Sequence, residues 1–441
     1  MTVGDVPDWL SAALVGRSYA ARVEPADVRV LTGMLAAAEN AAPVDAVEAV
    51  TRELGVALGA RSVSFLIADL SGRALVRLAH VPLDRGGAGR RDGEELATVV
   101  PFDGGPAEQA LRTQTPQVLT HARGCRVLAP VTERGEMIGL LELVLPAEPE
   151  TRLLDEIART AHALAFVVIA NRRHTDLFEW GQRTTPFTLS AEIQRRLLPG
   201  AFTCEAGAFT LSGWLEPAAS VAGDTFDYSL ARNVLHFSVT DAMGHEVTSA
   251  LTATLGVGSL RNTRRRGHSL IEQADAANTA VAAHPVVRGG YMTAVLGRLD
   301  LRTGVCALLN AGHLPPLLVR DGGVQAVELP RNLPLGMFPD AGGYQAGELA
   351  LRPGDRLVVF TDGMRERNAA SLDLPAELRT VIGLHPREAV RVLADAVLDA
   401  AGPTLADDAT LLVVDWYGDH PQLRRTGAGA DPGRASPPLS G

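Results

Sequence analysis

Four acidic signatures constrain this chain more than anything else in it: Ala222-Gly223-Asp224, Asp241-Ala242-Met243-Gly244-His245, Thr361-Asp362-Gly363 and Asp407-Asp408. Each stands where an apolar strand runs out into a polar turn, so a fold that brings those strand ends together gathers the carboxylates. Taken singly, an Asp-Gly pair is normally a turn; four in this setting reverse that reading. A strand end fixes a carboxylate, and the following glycine lets backbone approach closely. Magnesium and manganese prefer oxygen donors and keep several waters, so a few carboxylates suffice for them. Two such ions about 3.5 to 4 Å apart can acidify a shared water. The pattern points to metal-assisted hydrolysis.

The chain has 441 residues, more than one core usually serves, and two or three domains are expected. With 46% hydrophobic and 21% charged residues, a packed core is well supplied. All 41 basic residues are arginine. The absence of lysine excludes phosphate-loop, pyridoxal Schiff-base and protein-kinase chemistry. A formal charge of -10 argues against a nucleic-acid surface, and Arg264-Arg265-Arg266 reads as a solvated helix end. Cys125, Cys204 and Cys306 have neither metal spacing nor a disulfide framework, and read as buried thiols in a reducing compartment. The N-terminus lacks the regions of a signal peptide. The apolar stretch Ala161 to Ala170 is too short to span a bilayer. A cytoplasmic protein without membrane segments is expected.

Along the chain, residues 1–26 read as a leader. Residues 27–171 read as a small α+β domain. Val44, Val47, Val50, Leu54 and Leu58 keep helical spacing, and Val63, Phe65 and Ile67 alternate as a half-buried strand. The turn Asp69-Leu70-Ser71-Gly72 closes one hairpin and Glu133-Arg134-Gly135-Glu136 another. Leu153, Ile157, Leu164 and Val168 then mark a long helix, and Gly86 to Gly93 reads as an exposed loop. Residues 172–186 form a polar connector, after which Ser190 is placed to cap a helix from Ala191 to Leu198. Residues 187–417 alternate short strands with two helical stretches, one after Gly244 and one through Leu270, Ala274, Ala277 and Val281, which suggests an α+β sandwich. Asp300 to Gly304 and Asp321-Gly322-Gly323 are hairpin turns. Residues 418–441 lack an apolar period and read as a disordered tail.

The succession of helix, antiparallel strands, "GEMIGLLELV" and closing helix resembles a GAF domain, a family of small-molecule sensory and dimerisation modules. The segment 187–417 resembles the type 2C metal-dependent protein phosphatases, and among them the bacterial SpoIIE/RsbU-like serine phosphatases. "AEIQRRLLPG" is similar to the opening helix of that family, and "VAGDTFDY", "VTDAMGHE", "RLVVFTDGMRE" and "LADDATLLVV" to its metal motifs. "NAGHLPPLLVRDGG" and "LPLGMF" are similar to its central hairpin. The fold implied is a GAF-like α/β sensor domain followed by an α/β/β/α sandwich.

The resemblance implies two divalent ions, manganese or magnesium, and a metal-bridging water as nucleophile. Asp241 would bridge the ions, with the carbonyl of Ala242 beside it. Asp224 would hold one ion, and Asp362 and Asp407 would complete the other shell, with Asp408 as the alternative to Asp407. Asp224 and Asp241 are the catalytic pair. Three positions depart from the family pattern: Glu246 and Ala222 replace glycine, and Arg365 replaces a small hydroxyl residue. His245 reads as a hydrogen-bonded turn residue, His313 as a residue that orders the hairpin, and Trp180 and Trp214 as packing anchors. The function implied is a protein serine/threonine phosphatase acting on a phosphorylated STAS-type anti-sigma-factor antagonist under control of the GAF-like domain. A small ligand of that domain and a homodimer held through the long helix and connector are the further partners expected. The competing readings are a catalytically idle scaffold and a phosphatase of small phosphoesters.

Overall fold

The computed structural model describes residues 25–70, 72–83, 99–102, 104–121, 124–183, 187–217, 223–244, 246–284, 287, 289–338, 343–365, 373–401, 405, 407–418 and 432–435. The expected leader up to residue 24 and the loop Gly86 to Gly93 lie outside these residues.

Two helices, α1 (Pro25–Asn40) and α2 (Ala46–Ala57), precede the first strands, β1 (Ser62–Ala68), β2 (Ala74–Pro82) and β3 (Val99–Pro101). Helix α3 (Pro106–Thr113) leads to β4 (Gln117–His121), β5 (Gly124–Glu133) and β6 (Glu136–Leu145), and α4 (Thr151–Asn171) closes the unit. The six strands form one sheet in the order β3-β2-β1-β6-β5-β4. Asp69 makes the first hairpin: its Oδ1 accepts the backbone N–H groups of Arg73 at 2.9 Å and Ala74 at 3.0 Å. The second hairpin turns on Arg134 and Gly135, both at positive φ. One face of the sheet packs Val63, Phe65 and Ile67 against Val47, Val50 and Leu54 of α2 and Ile157, Leu164 and Val168 of α4. The other face packs Leu66, Leu75 and Leu140 against Ala110 and Leu111 of α3. Strand β1 is therefore buried on both faces, which corrects the half-buried expectation, since helices cover the sheet on each side. Val44 precedes α2 and is 40% exposed.

The connector is more ordered than its polarity suggested. It holds helix α5 (Leu177–Gly181), whose Phe178 enters the first core, while Leu70 donates its N–H to Gln182 O at 3.0 Å. Trp180 is 44% exposed and is not an anchor; Phe178 takes that role because it faces the sheet. Trp214 is buried as expected.

The second unit begins with α6 (Leu189–Leu197). Its cap is Thr188, whose hydroxyl accepts the Ala191 N–H at 3.2 Å, so Ser190 stands one residue inside the helix and not at its cap. Strands β7 (Thr203–Glu205), β8 (Phe209–Glu216), β9 (Asp224–Leu230) and β10 (Val234–Ala242) follow, then helices α7 (Glu246–Arg265) and α8 (Leu270–Ala283). Ser269 and Glu272 build a capping box at the start of α8. Next come β11 (Met292–Asp300), β12 (Val305–Ala311), β13 (Leu317–Arg320), β14 (Gly323–Ala326), β15 (Gly347–Ala350) and β16 (Arg356–Phe360). Helices α9 (Leu374–Thr380) and α10 (Pro386–Ala401) and strand β17 (Ala409–Trp416) complete it.

These strands form two sheets, β15-β12-β11-β10-β9 and β14-β13-β16-β17-β8-β7, antiparallel in every pairing. Phe226, Phe237 and Val239 of one sheet meet Phe209, Val359 and Leu412 of the other in a common core. Leu270, Ala274, Ala277 and Val281 cover the first sheet's outer face, and Leu378, Val390 and Leu393 cover the second's. That is the α/β/β/α sandwich expected. The tail is a partial correction: Pro432–Arg434 makes a short 3-10 turn because Arg434 reaches Asp415 at 3.1 Å and Leu384 O at 3.2 Å.

Candidate metal centre

The four signatures meet at one edge of the sandwich. Asp224 opens β9 and Asp241 lies directly opposite it near the end of β10. From the other sheet, β16 ends at Phe360, just before Thr361 and Asp362, and β17 begins just after Asp407 and Asp408. These two strands run side by side, with Phe360 opposite Leu411.

The glycines in the motifs let neighbouring strand ends approach closely within each sheet. A Cβ on Gly223 would stand 2.3 Å from Ala242 O, and one on Gly363 would stand 2.0 Å from Asp408 O. Only glycine permits either approach. Ala242 is 2% exposed and donates its N–H to Gly223 O at 3.2 Å.

Asp224 is 3% exposed, and its Oδ2 accepts the hydroxyls of Thr361 at 2.6 Å and Thr410 at 2.7 Å. Both threonines come from the opposite sheet. Asp408 is also buried; its Oδ2 accepts Gln194 Nε2 at 2.6 Å and the N–H groups of Gly223 at 3.0 Å and Asp224 at 3.3 Å. Asp407 is less buried, and Asp362 is exposed. Asp408 is thus buried and holds Gln194 and two backbone N–H groups, whereas Asp407 is partly exposed and accepts the Asp408 N–H at 2.9 Å.

Burial raises the Asp224 carboxyl well above its ordinary range, reinforced by Asp241 and Asp408 and opposed by the threonine hydroxyls. Burial also pushes Asp241 up to about 7, and repulsion from Asp362, Asp407 and Asp408 adds to it. Such a cluster of like charges is a region of negative potential that a cation relieves. The donor set is oxygen only, which suits hard divalent ions. Among the described residues no three His, Cys, Asp or Glu side chains converge on one point.

Several residues that matter here were not singled out from the sequence. Gln194 of α6 binds both Asp408 and Asp224 O, the latter at 2.9 Å, and only its place in "AEIQRRLLPG" could have flagged it. Asp227 of β9 accepts Arg261 and Arg264 of α7, each at 2.9 Å, so Arg264 is an ion-pair partner within the run read as a solvated helix end. His313 lies where the chain crosses from β12 in one sheet to β13 in the other, not within a hairpin. Its ring contacts Thr293 Oγ1 at 2.6 Å and Phe360 O at 3.1 Å, and burial pulls its pKa down to about 4. A neutral imidazole here staples the two sheets. Ala222 and His245 lie outside the described residues, as do the side chains of Glu246 and Arg365. Cys204 is half-buried, unlike Cys125 and Cys306. Among the described residues no helix is long and apolar enough to cross a membrane.

A family model and several solved structures are similar to parts of the chain. Residues 231–417 match the family model of stage II sporulation protein E, SpoIIE. Among solved structures, the RsbU and RsbW domains of a Mycobacterium tuberculosis protein are similar at 25% identity, over 51% of this chain and 64% of that one, with a TM-score of 0.45. The PP2C phosphatase domain of SpoIIE from Bacillus subtilis, with a fragment of its regulatory domain, is similar at 21% identity, over 49% of this chain and 66% of that one, with a TM-score of 0.41. The chain thus spans a little under two thirds of each of those two structures. The family-model match covers residues 231–417, and over that segment the chain is similar to SpoIIE.

Proposed function

We propose that this protein is a metal-dependent protein serine/threonine phosphatase that works in partner-switching regulation in the cytoplasm. The observation that carries the reading is that Asp224 and Asp241 of one sheet stand near Asp362 and Asp407 of the other, the last three within the segment similar to SpoIIE. Asp241, Asp224, Asp362, Asp407 and the carbonyl of Ala242 are the groups that would hold manganese or magnesium, two ions in all. When bound, such ions supply an acidified water and neutralise charge on a phosphoryl group. Asp224 is kept in place by Thr361 and Thr410, and Asp408 fixes the backbone around it. A phosphoserine side chain would reach the site at the exposed Asp362 edge. The substrate proposed is a phosphorylated STAS-type protein, as the name RsbU in a similar structure invites. The N-terminal unit, residues 27–171, is proposed as a GAF-like sensor and dimerisation domain that acts through the connector.

The test is hydrolysis of p-nitrophenyl phosphate and of a phosphoserine STAS protein, with manganese and with EDTA. Manganese-dependent turnover is expected, falling about 10³-fold or more in Asp241→Ala. No turnover by the folded protein with any divalent ion would overturn the proposal. Faster turnover of the protein substrate than of the small ester fixes the substrate class.

A further inference from the structure

The outer face of the first sheet is not covered by its own helix alone. Helix α3 takes part of it, and the rest looks across a junction at α10 and at the residues around β7 and β8. The two units are tied there by several bonds. Arg73 meets Asp395 at 2.8 Å, Arg387 donates to Gly135 O at 3.1 Å and Arg112 O at 2.8 Å, and Glu136 accepts the N–H groups of Phe202 at 3.1 Å and Thr203 at 2.7 Å. Between these ties lies a cavity of about 130 Å³. Phe102, Leu111 and Met137 face it from the N-terminal unit and Phe202, Trp214 and Val390 from the C-terminal unit, and charged and polar residues of both units make up the rest of the wall.

We propose that this junction is a binding site for one small uncharged organic molecule, about the size of benzene, held by apolar contact to both units at once. Volume sets the size: an apolar cavity of about 150 Å³ in another protein stays dry and takes up benzene. Charge sets the class. Each of the four arginines on the wall already faces a carboxylate: Arg73 with Asp395, Arg112 with Glu108, Arg387 with Glu388 at 3.1 Å, and Arg391 with Asp395 at 2.9 Å. An ionic guest would lose its hydration without gaining a free counter-charge. An apolar guest instead supplies dispersion contacts that the opposed walls lack. Because the guest touches both units, its binding favours the docked arrangement. The site stands apart from the carboxylate cluster and does not depend on the phosphatase reading.

The experiment uses the full chain. Benzene is expected to raise the melting temperature saturably by a few degrees, and bromobenzene to quench the emission of Trp214, whereas benzoate does neither. Met137→Trp, which fills the cavity, abolishes both responses while circular dichroism stays native. Should that variant fail to fold, Val390→Phe fills the space from the opposite wall. Trp214→Phe, which keeps an aromatic wall, retains the benzene response in melting temperature and loses the quench, and so locates the guest. No benzene response in the native protein, an undiminished response in a folded filled variant, or benzoate binding as tightly as benzene overturns the proposal.

Discussion

Asp241 stands in the field of Asp362, Asp407 and Asp408, and burial strips away the water that would have screened them. Its carboxyl is raised to about 7 from 3.8, so the folded state binds more protons than the unfolded chain between those limits. Stability from this residue is therefore lost as pH climbs from about 4 to about 7. In the metal-free protein we predict that Asp241→Asn, which does not titrate, gains about 4 kcal/mol over the native chain at pH 7.5 and almost nothing at pH 4. Urea melts of both proteins in EDTA at the two pH values check this, and a constant difference would count against the cluster as drawn. Manganese should narrow the gap at pH 7.5 by stabilising the native chain alone. Thr361 offers a second test, since its hydroxyl donates to Asp224 and accepts the Thr410 N–H at 3.0 Å. Thr361→Val should cost about 1 to 3 kcal/mol by leaving both partners short, while Thr361→Ser should recover most of the loss. The aspartates were legible from the sequence because each carries its glycine or sits at a strand end. The threonines were not, because a buried hydroxyl across two sheets leaves no local pattern.

Helix α6 links the connector to the carboxylates through one side chain. Gln194 holds Asp408 and the Asp224 carbonyl together, so a shift of this helix moves backbone beside the site. We predict that Gln194→Leu lowers apparent manganese affinity about 10- to 100-fold, the usual cost of losing a group that orients ligands. A manganese titration of turnover measures it, and an unchanged midpoint would show that α6 merely packs. Helix α7 is held in the same manner by Arg261 and Arg264 on Asp227. The hydrophobic period located α7 and α8 correctly. It missed the cap of α6 by two residues because Thr188 and Ser190 have the same capping chemistry and lie 2.9 Å apart.

The two units meet through contacts of unequal strength. Arg73 is 45% exposed in its pair with Asp395, and a double-mutant cycle on that pair should give only about 0.2 to 1 kcal/mol. Glu136 is half-buried, and lost hydration raises its carboxyl even though Phe202 and Thr203 donate to it. Glu136→Ala leaves two partly buried N–H groups without that partner and should cost about 2 kcal/mol. Calorimetry should then resolve two unfolding transitions where the native chain shows one, and a single unshifted transition would mean the units are docked by other contacts. None of this was readable beforehand, since Glu136 appeared only as a turn residue and Arg387 had no pattern at all. By itself the sequence determined the strands and their ends, because alternation and period follow from side-chain hydrophobicity along a few residues. It also pointed to Asp224 and Asp362 through the glycine beside each, and to Asp241 and Asp407-Asp408 through their places at strand ends. Tertiary structure alone decided that Asp408 accepts the N–H groups of Gly223 and Asp224, that His313 joins two sheets, and that a cavity lies between the units. Those outcomes depend on which residues meet after the chain has crossed between sheets, and residues so far apart in sequence share no local signal.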